Sequence, residues 1–216
     1  HRSPVIARTL FIGRALVEQL LDRGDDVVIM HRGHGTPFGA RVGEIQCDRN
    51  DIAAVRAGLD GEQFDFVYDN VFDWSRGTSA EQVSAAAMAG VTGLRRYVFT
   101  SSVAVYAPGD GERGEDAALV APDDVNGYGA KKADSERALF ALWRERGVPV
   151  STLRPAFIYG PHNPFDRESF FWDRLLAGRP ILIPDDGRTT MQWVYSRDVA
   201  RAAVLASERD VAIGRA

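Results

Sequence analysis

Tyr97-Val98-Phe99-Thr100-Ser101-Ser102 decides how this chain folds, taken together with Asn126-Gly127-Tyr128-Gly129-Ala130-Lys131-Lys132-Ala133-Asp134-Ser135-Glu136 downstream. The first stretch is an apolar run ending in three hydroxyl residues. It reads as a strand whose C-terminal edge carries chemistry, as such edges do in open α/β sheets. The second opens a long helix, with Asn126 a suitable cap before a run of strong helix formers. Tyr128 and Lys132 are four apart, so they share one helical face, one turn from each other. A phenol's ordinary pKa near ~10 is too high for a base at neutral pH, and a neighbouring ammonium favours the phenolate. The pair can therefore take a proton from a hydroxyl or return one to a carbonyl. Ser102, from the strand end, is placed to bond the same oxygen. A Tyr and Lys at this spacing are common on exposed helices, and the hydroxyl-ended strand upstream is what makes the pattern specific.

Short apolar runs alternate with helical patterns along most of the chain. Runs at Pro4 to Ile6, Asp26 to Met30, Glu44 to Asp48, Phe64 to Asp69 and Pro149 to Arg154 read as further strands. Between the first two, Leu16, Val17, Leu20 and Leu21 recur at helical spacing and the pattern stops near Gly24. This alternation predicts an α/β fold, a parallel sheet covered by helices on both faces. Thr78-Ser79-Ala80-Glu81 has capping chemistry for an Ala-rich helix through Ala89 that ends at Gly90. Its small-residue face packs either within the chain or against a partner subunit, and the pattern leaves both open. Beyond Gly160 the period becomes irregular. The aromatic-rich helix from Phe165 to Leu176 reads as core rather than as a ligand platform.

The 216 residues allow one substantial core and a small appended lobe, and 45% apolar with 26% charged residues is the balance of a globular protein. A net charge of −4 without a long basic run gives nucleic-acid binding no electrostatic support. The single cysteine, Cys47, excludes an internal disulfide and fits a reducing compartment. It reads as a small buried side chain rather than a nucleophile. No apolar run approaches membrane-spanning length and no secretory leader is recognisable, so a cytoplasmic location is expected. The loop from Gly109 to Val125 is long enough to be functional. Its Glu115, Asp116, Asp123 and Asp124 read as a solvated acidic face rather than a cation site, and no metal is expected.

These landmarks, in this order, resemble the short-chain dehydrogenase/reductase family in its extended branch of sugar epimerases and dehydratases. The resemblance rests on Thr9-Leu10-Phe11-Ile12-Gly13, the strand ending Thr100-Ser101-Ser102, Tyr128 with Lys132, the segment Leu153 to Pro161, and Trp193 to Ala200. It implies a Rossmann-type doubly wound parallel sheet. Residues 1–160 would form the dinucleotide-binding domain and 161–216 a partial substrate lobe, with a late strand near 191–196 returning to the main sheet. It further implies that Tyr128 is the general acid/base, that Lys132 lowers its pKa while holding the nicotinamide ribose, and that Ser102 positions the reacting group. Cofactor contacts are implied at Thr9, Phe11, Ile12, Gly13, Asn70, Thr100, Pro155 and Ile158, with Asp48 at the adenine amino group. Asn163 matches a position that touches substrate. His31 stands where users of NAD tend to carry an acidic residue, and Arg32 beside it suits a ribose phosphate, so NADP is slightly favoured over NAD.

The chain also departs from the pattern. Family members carry glycines where Ala7 and Arg8 stand, and many a third at Leu10, because a pyrophosphate must approach bare backbone amides. Only Gly13 is kept, although the Arg8 guanidinium could grip a phosphate instead. Met191 replaces the arginine with which nucleotide-sugar enzymes hold a diphosphate, which weakens that substrate class. Asp69, Asp73 and Trp74 are similar to the atypical chloroplast stem-loop-binding branch. Three readings follow from these residues. The first is an NAD(P)-dependent oxidoreductase, epimerase or dehydratase on a small, sugar-like substrate. The second keeps the fold for a non-redox isomerase, cyclase or dehydratase. The third is an RNA-binding protein, which the acidic balance disfavours. A homodimer is what the resemblance implies.

Overall fold

The computed structural model describes residues 1–6, 9–33, 35–89, 92–109, 111–183 and 185–216. Six strands form one parallel sheet: β1 (Arg2–Ile6), β2 (Asp26–His31), β3 (Gly43–Gln46), β4 (Phe66–Asp69), β5 (Arg96–Thr100) and β6 (Val150–Leu153). Their order is β3-β2-β1-β4-β5-β6. Alternate residues feed two cores, because successive side chains of a strand point to opposite faces. Ile6, Met30, Val67 and Phe99 pack under α2 (Ile52–Leu59), α3 (Ala80–Ala89) and α4 (Gly127–Arg146). Val5, Ile29, Tyr68 and Val98 pack under α1 (Ile12–Asp22) and α6 (Ser196–Glu208). The sheet is therefore doubly wound, as its alternating sequence predicts. Strand order reverses between β1 and β4, so the loops leaving their C-terminal ends diverge and open a crevice there.

The late strand departs from expectation. β8 (Trp193–Tyr195) pairs in parallel with β7 (Phe157–Tyr159) in a separate two-stranded sheet and does not return to the main one. The outer edge of β6 is already occupied, since Thr152 N donates to Arg215 O at 2.9 Å and Gly214 N to Val150 O at 2.7 Å. Residues 196–216 also pack on the main body, where Ala200 and Ala203 of α6 meet Leu16 and Leu20 of α1. The small lobe is left with β7, β8 and α5 (Glu168–Leu176).

That lobe does not bury its aromatics. α5 has no buried residue, Trp172 is 61% exposed and Leu176 87%, so the expected core role of this helix is not met. Two short strands are too narrow to cover it. In the main body the small face of α3 is used within the chain, with Ala86 and Ala87 in the core. Its cap is a box between Ser79 and Gln82: Ser79 N donates to Gln82 Oε1 at 2.8 Å and Gln82 N to Ser79 Oγ at 3.3 Å. The stop expected at Gly90 lies outside the described residues. Among the described residues no helix is long and apolar enough to cross a membrane.

Candidate active site

The start of α4 is held by two stacked caps. Asp124 Oδ1 accepts from Asn126 N at 2.8 Å, and Asn126 Oδ1 accepts from Gly129 N at 3.1 Å. Gly129 matters for a second reason. A Cβ there would stand 2.2 Å from Ala104 O, so only glycine lets the first turn of α4 lie against the tight turn Val103–Val105 that follows β5. That turn is pinned in its own right: Val103 N donates to Pro155 O at 3.2 Å and Ala104 N to Ser102 Oγ at 3.2 Å. Backbone contact thus brings the end of β5, the start of α4 and the segment after β6 together. Ser102, Tyr128 and Lys132 line one cavity of about 780 Å³, which Phe11, Ile12, Gly13, Asn70, Thr100, Pro155 and Ile158 also line.

The electrostatics differ from the expected tuning of a phenol by an ammonium. Burial pushes the Tyr128 phenol above its ordinary value, while the Ser102 hydroxyl and the Arg167 charge pull it the other way. Lys132 is spent elsewhere: its Nζ donates to Thr100 O at 2.5 Å and lies 4.4 Å from the Phe99 ring centre and 5.6 Å from that of Phe72. Burial brings the Lys132 amine down to about 8. Tyr128 is therefore a proton donor at neutral pH, and the cation whose charge acts on it is Arg167. Beneath Lys132 sits a buried group in which Asp69 accepts from Arg49 and, at 2.5 Å, from the Tyr97 hydroxyl.

Aromatic rings that the sequence reading did not assign to the site enclose the phenol. Trp74 stacks on Tyr128 at 4.8 Å with planes 21° apart, and Phe72 meets it edge-on at 4.8 Å. Phe165 closes the outer side, 6.0 Å from Trp74. The resemblance placed the loop carrying Phe72 and Trp74 beside the cofactor only through the contact implied at Asn70. Nothing local in the Phe165 to Arg167 run separates it from an ordinary aromatic helix start.

A second cavity of about 880 Å³ adjoins the first and is lined by Thr9, Arg32, Cys47, Asp48 and Asn163. The two share Leu10, Val71, Phe72, Trp74 and Pro164, so together they form one groove along the C-terminal sheet edge. The second chamber is dense in paired charge. Arg32 lies 3.4 Å from Asp73, and Arg76 bonds both Asp48 and Asp73 at 2.7 Å. Hydrogen bonds from the Ser75 hydroxyl and the Arg76 amide hold the Asp73 carboxyl well below the usual carboxylate range. Burial and the neighbouring Asp48 push the Cys47 thiol up, away from the nucleophilic range.

Two expected contacts are otherwise engaged. Asn70, implied at the ribose, spans Ile6 O at 3.0 Å and Gly13 N at 3.2 Å when its amide is oriented to satisfy both. It ties β1 to the start of α1. Asn163, implied at the substrate, opens on the second chamber instead, where its Nδ2 donates to Glu168 Oε2 at 2.7 Å and its Oδ1 accepts from Phe165 N at 3.0 Å. The turn at Ala7 and Arg8 lies outside the described residues. A two-chambered groove across the strand-order reversal suits an extended dinucleotide. Asp48 and Arg32 would meet its adenosine end, and Thr100, Lys132, Pro155 and Ile158 its other end.

Comparison with known proteins shows the family. The NAD dependent epimerase/dehydratase family model matches residues 9–215. The chain is 30% identical over 223 residues to the chloroplast stem-loop binding protein of 41 kDa b of Arabidopsis thaliana, covering 95% of this chain and 55% of that protein. It is 34% identical over 149 residues to an Arabidopsis thaliana trifunctional UDP-glucose 4,6-dehydratase/UDP-4-keto-6-deoxy-D-glucose 3,5-epimerase/UDP-4-keto-L-rhamnose-reductase, covering 66% of this chain and 20% of that enzyme. The chain thus spans about half the length of the first relative and about a fifth of the second. Among solved structures, MoeE5 in complex with UDP-glucose and NAD superposes with a TM-score of 0.74 at 27% identity, covering 95% of this chain and 71% of that one.

Proposed function

The chain belongs to the NAD dependent epimerase/dehydratase family, and from that premise we propose a nicotinamide-dependent enzyme acting on a hydroxyl or carbonyl of a small, sugar-like substrate. One observation carries the reading: Ser102, Tyr128 and Lys132 line a single cavity at the C-terminal edge of the sheet. Tyr128 gives its proton to a carbonyl oxygen, or in the reverse direction takes one from a hydroxyl. Ser102 holds that oxygen. Lys132, bonded to Thr100 O, fixes the floor of the chamber beneath a ribose. Apolar walls from Phe11, Phe72, Trp74 and Pro155 exclude water from the reacting atoms. When bound, the nicotinamide supplies hydride acceptance and return.

Phe11, Ile12 and Gly13 at the start of α1, with Thr9, Arg32 and Asp48, would hold the remainder of the dinucleotide. Arg32 is the group a 2′-phosphate would meet, which slightly favours NADP; Asp73, 3.4 Å away, narrows that preference. The UDP-glucose in the MoeE5 complex supports a sugar substrate.

Titration with NADH and NADPH, followed by energy transfer from tryptophan to nicotinamide, tests the cofactor. Saturable binding is expected, and no saturable signal at about 1 mM, the upper end of usual KM values, overturns it. Keto-sugar formation from UDP-glucose tests the chemistry. Tyr128→Phe should keep cofactor binding and lose turnover by about 100-fold or more. A second reading, stem-loop RNA binding, takes its support from the 30% identity to the plant chloroplast stem-loop binding protein. Filter binding across salt concentrations tests it, because phosphate-dominated affinity must fall as salt rises.

A further inference from the structure

Four arginines line the groove, and among the described residues three of them have a carboxylate partner. Arg14 pairs with Glu18 at 3.0 Å, Arg32 with Asp73 at 3.4 Å, and Arg49 with Asp69. Arg167 has no such partner among the described residues. Its guanidinium lies over the Phe165 ring, 4.8 Å from the centre, and over the Phe157 ring at 5.4 Å. The acidic neighbours in sequence are already engaged, and Glu168 feels the Arg167 charge without a bond to it. Asp166 accepts from the Ser169 hydroxyl, and Glu168 accepts from Gly160 N and Asn163 Nδ2, each at 2.7 Å.

Arg167 is half-buried and lines the same chamber as Ser102 and Tyr128. Contact runs from its ring partner Phe165 to Trp74 at 6.0 Å, and from Trp74 to Tyr128 at 4.8 Å. Two aromatic rings hold the guanidinium in place by cation–π attraction while leaving its N–H edges unspent. A partly desolvated cation without a counter-ion is costly, and a carboxylate or phosphate matches its fork of donors with two parallel bonds. The other cation of the chamber, Lys132, is buried and committed to Thr100 O.

We propose that Arg167 is a specificity residue that takes an anionic group, carboxylate or phosphate, on the substrate whose oxygen meets Tyr128 and Ser102. The placement of that oxygen rests on the function proposed above. A neutral sugar fills the chamber but leaves this cation unmet, and its acidic counterpart gains a charge-assisted bidentate contact.

Two matched pairs test the assignment: D-glucuronate against D-glucuronamide, and glucose 1-phosphate against glucose. Affinities are measured by tryptophan fluorescence and calorimetry, with and without NAD, on the wild-type chain, Arg167→Leu and Arg167→Lys. At least one acid should bind about tenfold or more tightly than its neutral partner. Arg167→Leu should erase that difference by weakening the acid alone, and Arg167→Lys, which keeps the charge and loses the fork, should fall between. A response confined to the first pair assigns a carboxylate, and one confined to the second a phosphate. Circular dichroism confirms that the variants fold, and Arg167→Gln replaces Arg167→Leu if that one does not. Equal binding of acid and neutral partner overturns the proposal, as does a preference that survives loss of Arg167. So does the absence of saturable binding by any acid at about ten times the ~1 mM upper end of usual KM values. Acid preference in a chain that binds neither NAD nor NADP would sink the redox reading and leave this one standing. NAD binding without acid preference would do the reverse.

Discussion

The two chambers of the groove share a wall and treat charge in opposite ways. In the chamber at Arg32 and Asp48, two arginines and two carboxylates neutralise one another through Arg76 and Asp73. In the chamber at Tyr128, Lys132 is held by a carbonyl and two rings, and Arg167, without a carboxylate partner among the described residues, lies between two others. Mutual pairing fixes loop shape and cancels the field. Isolation behind aromatic rings keeps the field and leaves it for a ligand. The first chamber is thereby suited to hold a constant partner, and the second to discriminate among variable ones.

Substitutions can break this contrast chamber by chamber. The largest effect is expected from Gly129→Ala, which drives a methyl into Ala104 O. Overpacking of this kind costs about 1–3 kcal/mol, and a displacement of about 1 Å between reacting groups lowers turnover about 100-fold. Thermal unfolding and UDP-glucose turnover read the two losses separately, while cofactor affinity should change little.

Lys132→Met comes next and should act in opposite directions on stability and turnover. The amine titrates near 8 in the fold against an ordinary 10.5. The unfolded chain therefore binds the extra proton between those values, so stability rises with pH through that window and bears the full cost below it. The gap corresponds to about 3 kcal/mol, from which the unpaired Thr100 carbonyl takes back about 1 kcal/mol. A methionine against the Phe99 and Phe72 rings should thus raise Tm at pH 7 while turnover falls by less than for Gly129→Ala. An unchanged Tm would mean that the rings and the carbonyl already offset the burial of the charge.

A smaller effect is expected in the paired chamber. Asp73 is held below the usual carboxylate range, so its contribution is present above that range and disappears as pH falls through the folded value. Trp74 fluorescence should report loosening of this loop in acid, and Asp73→Asn should show the loosened signal already at pH 7 with no acid transition. Smallest of all, Arg32→Ala should weaken NADP by about tenfold or less and leave NAD unchanged. Equal losses for both cofactors would remove Arg32 from the 2′-phosphate position.

Much of the main body was legible from local signals. Short apolar runs alternating with helical patterns marked the six strands, and Asn126 marked the start of α4 because a cap acts within its own turn. The site was legible as far as Ser102, Tyr128 and Lys132 reach one cavity. What escaped depends on groups distant in sequence. Asn70 serves Ile6 and Gly13, and the outer edge of β6 is taken by the backbone at 214–215 rather than by β8. Lys132 could not be seen as spent until Thr100 O lay beside it. Arg167 looked ordinary because the absence of a counter-ion is a property of the folded surroundings, not of neighbouring letters.

The contact between Gly129 and Ala104 has a mechanical consequence. With no room for even one carbon, the first turn of α4 and the bend after β5 behave as a single casting. Spacing between the backbone positions of Ser102 and Tyr128 is then inherited from main chain. Adaptation to a new substrate is consequently recruited from Trp74, Phe165 and Arg167 on the surrounding loops, whose replacement would leave this backbone spacing in place.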